Sequence, residues 1–198
     1  METIAPFRIT VCGIEELEGH NASKVSHVLS ILDPEWPVPE AFGGFGEHEK
    51  LELRFHDVIE DSDPLPGPRA EHVVQLLRFG RDLMAEPAPE AHLLVHCHAG
   101  ISRSTASMTL ILAQALPQVP APAIMAEILR IREKAWPNLR ILEMGDALLG
   151  RGGTLVGAAH EVYRRQLVRR PWLVEEMTRM GRAREVTAGQ AADPGSAA

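Results

Sequence analysis

The sequence predicts an α/β fold: a central, mostly parallel sheet flanked by helices. Three observations carry this expectation. Short apolar or alternating runs recur through the first hundred residues, each closed by a turn signal. An amphipathic helical pattern separates the last two of them. From residue 102 onward the periodicity is helical. Strands interleaved with helices and followed by a helical half favour a sheet layered with helices.

The elements follow in order. Phe7-Arg8-Ile9-Thr10-Val11 alternates and stops at Cys12-Gly13, a first strand. Val25 to Leu32 is apolar at Val25, Val28, Leu29, Ile31 and Leu32 and stops at Asp33-Pro34, a second. Residues 36–46, rich in proline and glycine, are expected to be an irregular loop. Leu51 to Phe55 alternates again and ends at His56-Asp57. An acidic loop, residues 57–68, leads to a helix over Glu71–Met84, with Val73, Leu76, Leu77 and Leu83 on its stripe and Pro87 and Pro89 ending it. His92 to His96 is a short apolar run, a buried strand delivering Cys97. Helices are expected over Ser102–Leu116, Pro122–Ala135, Leu139–Leu149 and Thr154–Val168. Residues 188–198, AGQAADPGSAA, offer nothing to bury and are expected to be disordered.

Composition narrows the function. The 198 residues suit one core. No apolar stretch is long enough to span a bilayer, and METIAPFRIT lacks a secretory pattern. The net charge of -7 argues against nucleic acid as a partner. Fourteen acidic and four basic residues fall within 1–63; seven arginines fall within 164–184 against Glu175 and Glu176, read as a solvated helix face. Two cysteines, Cys12 and Cys97, are too few for a disulfide framework and fit a reducing, cytoplasmic setting.

The chemistry concentrates in residues 93–113, LLVHCHAGISRSTASMTLILA. A strand delivers a cysteine, a turn containing Gly100 follows, and an arginine opens a helix. The amides of His98, Ala99, Gly100, Ile101, Ser102 and Arg103 can curl into a nest for an anion. The helix aims its positive end at the same point. Arg103 adds a planar guanidinium matching two phosphate oxygens. The same field favours Cys97 as a thiolate, since helix N-termini and cations stabilise a sulfur anion.

HCHAGISRS resembles the H-C-x5-R-S/T signature of the protein tyrosine phosphatase superfamily, in its compact bacterial or dual-specificity branch. The resemblance implies a phosphate loop between a buried strand and a helix, a phosphatase domain over 1–170 and a C-terminal extension over 171–198. It implies hydrolysis of phosphomonoesters through a phosphocysteine on Cys97, with Arg103 gripping phosphate and Ser104 stabilising the departing sulfur. It places an acid on a loop after a strand, for which Asp57 is the choice and Asp61 and Asp63 are alternatives. His96 would support the loop and help lower the thiolate pKa. Asn138 resembles a residue whose side chain orients the loop backbone; a plain helix N-cap is an equal reading. No metal or other cofactor is implied. With no lysine in the loop, a phosphorylated protein (phosphotyrosine, phosphoserine or phosphothreonine) is favoured as partner, without nucleic acid or membrane.

Three rivals were weighed. His92, His96, Cys97 and His98 cluster in sequence, but adjacent strand residues point to alternating faces and cannot converge on one ion. A non-catalytic phospho-residue-binding module would use the same nest without needing Cys97. Sulfur transfer or arsenate reduction would not need Arg103, Ser104 and an upstream acid together. Cys12 is read as a buried hydrophobe, with a redox pairing to Cys97 as the lesser reading.

Overall fold

The computed structural model describes residues 3–60, 65–85 and 91–192. Strands β1 (Arg8–Cys12), β2 (His27–Leu32), β3 (Glu49–Arg54) and β4 (His92–His96) form one sheet in the order β1-β4-β2-β3. All three pairings are parallel. The predicted α/β class therefore holds, and the sheet among the described residues is parallel throughout. The two central strands, β4 and β2, are buried at every position, while the edge strands β1 and β3 keep exposed residues. That division explains the sequence pattern: continuous apolar runs in the centre, alternation at the edges. Polar residues in the centre are paired across strands, as where His96 Nε2 meets Ser30 Oγ at 2.8 Å, in register.

Helices α1 (Ala70–Met84), α2 (Arg103–Ala115), α3 (Ala121–Ile131), α4 (Leu139–Leu148) and α5 (Thr154–Arg169) match the expected segments to within a few residues at each end. Helix α2 is buried from Arg103 to Ala113 and forms the axis of the helical layer. The segment around Pro87 and Pro89, expected to stop α1, lies outside the described residues. The opposite sheet face is covered by a smaller cluster of Cys12, Leu17, Val25, Val28 and Leu94, with Ala41, Phe42 and Phe45 against it.

Two expectations are corrected here. Residues 36–46 are not wholly irregular, because a 3-10 helix spans Glu40–Gly44. A 3-10 turn needs only one bond every three residues, and the Pro39 carbonyl accepts the Phe42 amide at 3.3 Å. Proline removes a donor, not an acceptor. The second correction concerns the C-terminus, where helices α6 (Leu173–Arg179) and α7 (Ala183–Ala191) follow α5. Helix α7 packs on α5 so closely that a Cβ on Gly189 would lie 2.8 Å from Tyr163 Cβ. Val186 and Glu185 are buried with it. Residues 188–191 thus belong to a packed helix, while residues 193–198 lie outside the description. The arginine-rich stretch is not only a solvated face, since Arg182 is 2% exposed.

Candidate active site

Cys97 follows directly from β4 and is 2% exposed. The turn after it, residues 98–102, is held from outside by its carbonyl oxygens. His98 O accepts from Ile14 N at 2.9 Å, and Ile101 O from Trp136 N at 2.9 Å. Ala99 O and Gly100 O accept from Arg132 at 2.9 and 3.0 Å, and Ser102 O from Asn138 N at 3.3 Å. Carbonyls that face out leave the amides facing in. None of the amides of residues 98–103 donates to a protein acceptor among the described residues. A ring of unused donors at a helix start is an anion cradle. Gly100 makes the curl possible. Its φ is +69°, and a Cβ there would sit 2.4 Å from the Cys12 carbonyl carbon.

Arg103 opens α2 and enters this cradle. Its Nη1 donates to Asp33 Oδ1 and to Phe55 O, both at 2.6 Å. Its Nε is buried and finds no acceptor among the described residues. Two bonds on one nitrogen orient the fork and leave the other edge for a ligand. A buried guanidinium N–H without a partner costs on the order of 1–3 kcal/mol or more, and a bound oxyanion removes that cost. Ser104 Oγ lies 3.2 Å from Cys97 Sγ. The cradle opens into a cleft of about 610 Å³ whose lining includes Cys97, Arg103, Asp57, Trp136, Trp172 and Met177.

Asp57, placed just past β3, lines the same cleft. Its Oδ1 accepts from Ser102 Oγ at 2.8 Å, Asn138 Nδ2 at 2.8 Å and Arg182 Nη1 at 3.2 Å. Burial pushes its carboxyl up; the guanidinium of Arg182, that of Arg103, and the bonds from Asn138 and Ser102 outweigh it and hold the group below the usual carboxylate range. Asp61 and Asp63 lie outside the described residues.

The sequence matches no protein-family model and no curated protein. Solved structures do match. Human DUSP28 superposes with a TM-score of 0.55 at 15% identity, over 76% of this chain and 99% of that one. The Cydia pomonella PTP-2 phosphatase does so at 0.55 and 18%, over 71% and 84%. PTPMT1, solved in complex with PI(5)P, does so at 0.51 and 14%, over 73% and 91%. The chain shares the fold of these solved phosphatase structures.

In that fold the sequence-predicted residues meet as a group: Cys97, Arg103, residues of the loop and Asp57 line one cleft, and Ser104 is buried against the Cys97 sulfur. Two expectations change in detail, those for His96 and Asn138. Burial pushes His96 down to about 4, so it is neutral. It supports the loop through Ser30 and a long 3.4 Å contact to Cys97 O, and lends the sulfur no charge. Asn138 does cap a helix, its Oδ1 accepting from Ile141 N at 3.0 Å. Its side-chain amide orients Asp57, and its backbone N–H, not its side chain, holds the loop. Cys12 is 1% exposed, and burial together with Glu16 pushes its thiol up to about 12, the state of an inert hydrophobe. His92 is tied to Thr10 and Ser23, while the His98 ring meets Trp36 in a tilted contact at 4.5 Å, so the histidines diverge. Among the described residues one trio, Asp33, Glu35 and His56, has metal-ligand proximity, and Asp33 there is engaged by Arg103.

Sequence reasoning missed Asp33, Arg132 and Arg182. Asp33 ends β2 and fixes Arg103. Arg132 braces the loop and is itself held by Glu16 at 2.8 and 2.7 Å. Neither carries a local pattern; only the strand-end position of Asp33, matching that of Asp57, was a usable signal. No helix among the described residues is long and apolar enough to cross a membrane.

Proposed function

We propose that the protein is a cysteine-dependent phosphomonoester hydrolase of the tyrosine or dual-specificity type, acting on phosphorylated protein. The observation that carries this is the unused amides of residues 98–103 together with the Arg103 Nε, partnerless among the described residues, in the cleft that Cys97 also lines.

The phosphate of the substrate sits in the amide ring with two oxygens on the free edge of Arg103. Cys97 sulfur attacks phosphorus, the phosphorus–oxygen bond of the ester breaks, and Asp57 delivers its proton to the leaving oxygen. Water then attacks phosphorus and gives a proton to Asp57. The phosphorus–sulfur bond breaks, and the Ser104 hydroxyl donates to the departing thiolate. Preorganised donors stabilise the equatorial oxygens throughout. The dianion brings negative charge next to Asp57, which favours the protonated acid the first step needs. Phosphoprotein is preferred because residues 98–102 carry no lysine for additional phosphates.

The alternative, a phospho-residue-binding module without turnover, draws on one observation: Asp57 is pinned by three donors that favour its ionised form. The two readings part in a single assay, hydrolysis of an aryl phosphate without added metal. Cys97→Ser is expected to abolish turnover, since a serine alkoxide is not available near neutral pH. Asp57→Asn is expected to slow the first step and to flatten the fall in kcat/KM between acidic and neutral pH. Phosphate binding without product release by the wild-type protein selects the module.

A further inference from the structure

The segment after α5 enters the cleft. Arg182 stands between α6 and α7, 2% exposed, and its fork touches three separate parts of the site. Nη1 donates to Asp57 Oδ1 at 3.2 Å, and Nη2 donates to Ser102 Oγ at 3.0 Å. Nε and Nη2 donate to Glu185 at 2.8 and 2.7 Å. Glu185 is fully buried and is fixed in turn by Trp136 Nε1 and by Leu139 N at 2.9 Å. Both Asp57 and Arg182 line the cleft that contains Cys97.

We propose that Arg182 is a positioning residue: from the C-terminal helical pair it clamps the carboxylate of Asp57 to Ser102 of the phosphate loop, and so sets where the acid stands and when it holds its proton. This rests on the reading of Asp57 as the acid. A buried guanidinium is stable only when compensated, and here two carboxylates compensate it, of which one is the acid and the other is Glu185. The charge on Arg182 is thus divided between a structural partner and a working one. Burial opposes the charge on Arg182, yet Asp57 and Glu185 together hold it firmly protonated. Among the described residues, the further charged and titratable groups coupled to Asp57 are Arg103 from α2 and His98 from the loop, with Cys97 in the same cleft. Neither Arg103 nor His98 changes when Arg182 or Glu185 is altered, so a response can be assigned to the clamp.

The division of charge predicts shifts of opposite sign. A lowered acid pKa places the fall in kcat/KM at lower pH, because the first step needs the protonated form. Removing the cation raises that pKa, and the fall moves to higher pH. Removing Glu185 leaves Arg182 with Asp57 as its remaining carboxylate, and the fall moves to lower pH. The experiment is the pH profile of kcat/KM for an aryl phosphate with the full chain, alongside thermal unfolding. For the double variant Arg182→Met, Glu185→Gln, which avoids leaving a buried unpaired charge, the fall is expected to move up by about half to one pH unit, less than the ~1–3 units of one nearby opposite charge because the Glu185 charge is lost with it. Arg182→Lys is expected to restore most of the original position, and Glu185→Gln alone to shift it downward. A merely structural arginine would lower kcat/KM at every pH and leave the position of the fall in place. If Asp57→Asn flattens the profile while the single and double variants keep the wild-type position, the clamp is wrong and the acid reading stands. If Asp57→Asn keeps the wild-type profile, both are overturned. Should the double variant not fold, the sign of the Glu185→Gln shift decides.

Discussion

The turn after Cys97 and the C-terminal helical pair line the same cleft and are encoded in opposite ways. Residues 92–104 build strand, turn and helix start from neighbours in sequence. Gly100, Arg103 and Ser104 act within seven residues of Cys97. Residues 171–192 reach the site only through distant partners, Asp57 at a separation of 125 and Ser102 at 80. The first region is a motif, and the second has meaning only in the folded state. Local encoding makes a region recognisable; it does not make it sufficient, since the loop carbonyls are held by Ile14, Arg132, Trp136 and Asn138.

Perturbations test that contrast in order of size. Arg103→Lys attacks the local module: a point charge replaces the fork that bridges Asp33, Phe55 and the anion, and kcat/KM for an aryl phosphate is expected to fall by at least about 10²-fold. Gly189→Ala attacks the distant one, where the new Cβ meets Tyr163 and the Arg164 amide at 2.8 and 2.9 Å. Overpacking of this kind costs about 1–3 kcal/mol, read as a lower urea midpoint. Arg132→Met tests the support between the two regions. It leaves the Ala99 and Gly100 carbonyls without their partner, and competitive inhibition by inorganic phosphate is expected to weaken by about tenfold, or 1.4 kcal/mol. Val168→Ser, on the outer side of α5 and 70% exposed, sets the baseline: unfolding stability is expected to change by less than about 0.5 kcal/mol. A baseline substitution as damaging as Gly189→Ala would mean that α5 and α7 do not form the tight contact described.

What could be read from the sequence follows the same line. The four strands, five of the helices and the cradle of Cys97, Arg103 and Gly100 were legible because periodicity and turn chemistry are local properties. Asp57 was legible as a strand-end carboxylate but not as a shared acceptor, because its three donors come from residues 102, 138 and 182. The short 3-10 helix at 40–44 was hidden by the proline and glycine that flank and compose it. Helices α6 and α7 were missed for a different reason. Their buried face is made of Glu185, Arg182 and Gly189 alongside Val186 and Met177, so a search for an apolar stripe sees a polar tail. A buried ion pair mimics a surface in sequence.

The long reach of Arg182 also orders events in time. A ribosome adding about 5–20 residues per second releases Asp57 roughly 6–25 s before the arginine that holds it, 125 positions downstream. During that interval the strands and the cradle can assemble around an unclamped carboxylate. A nascent chain therefore acquires the cysteine turn early and the clamped carboxylate last.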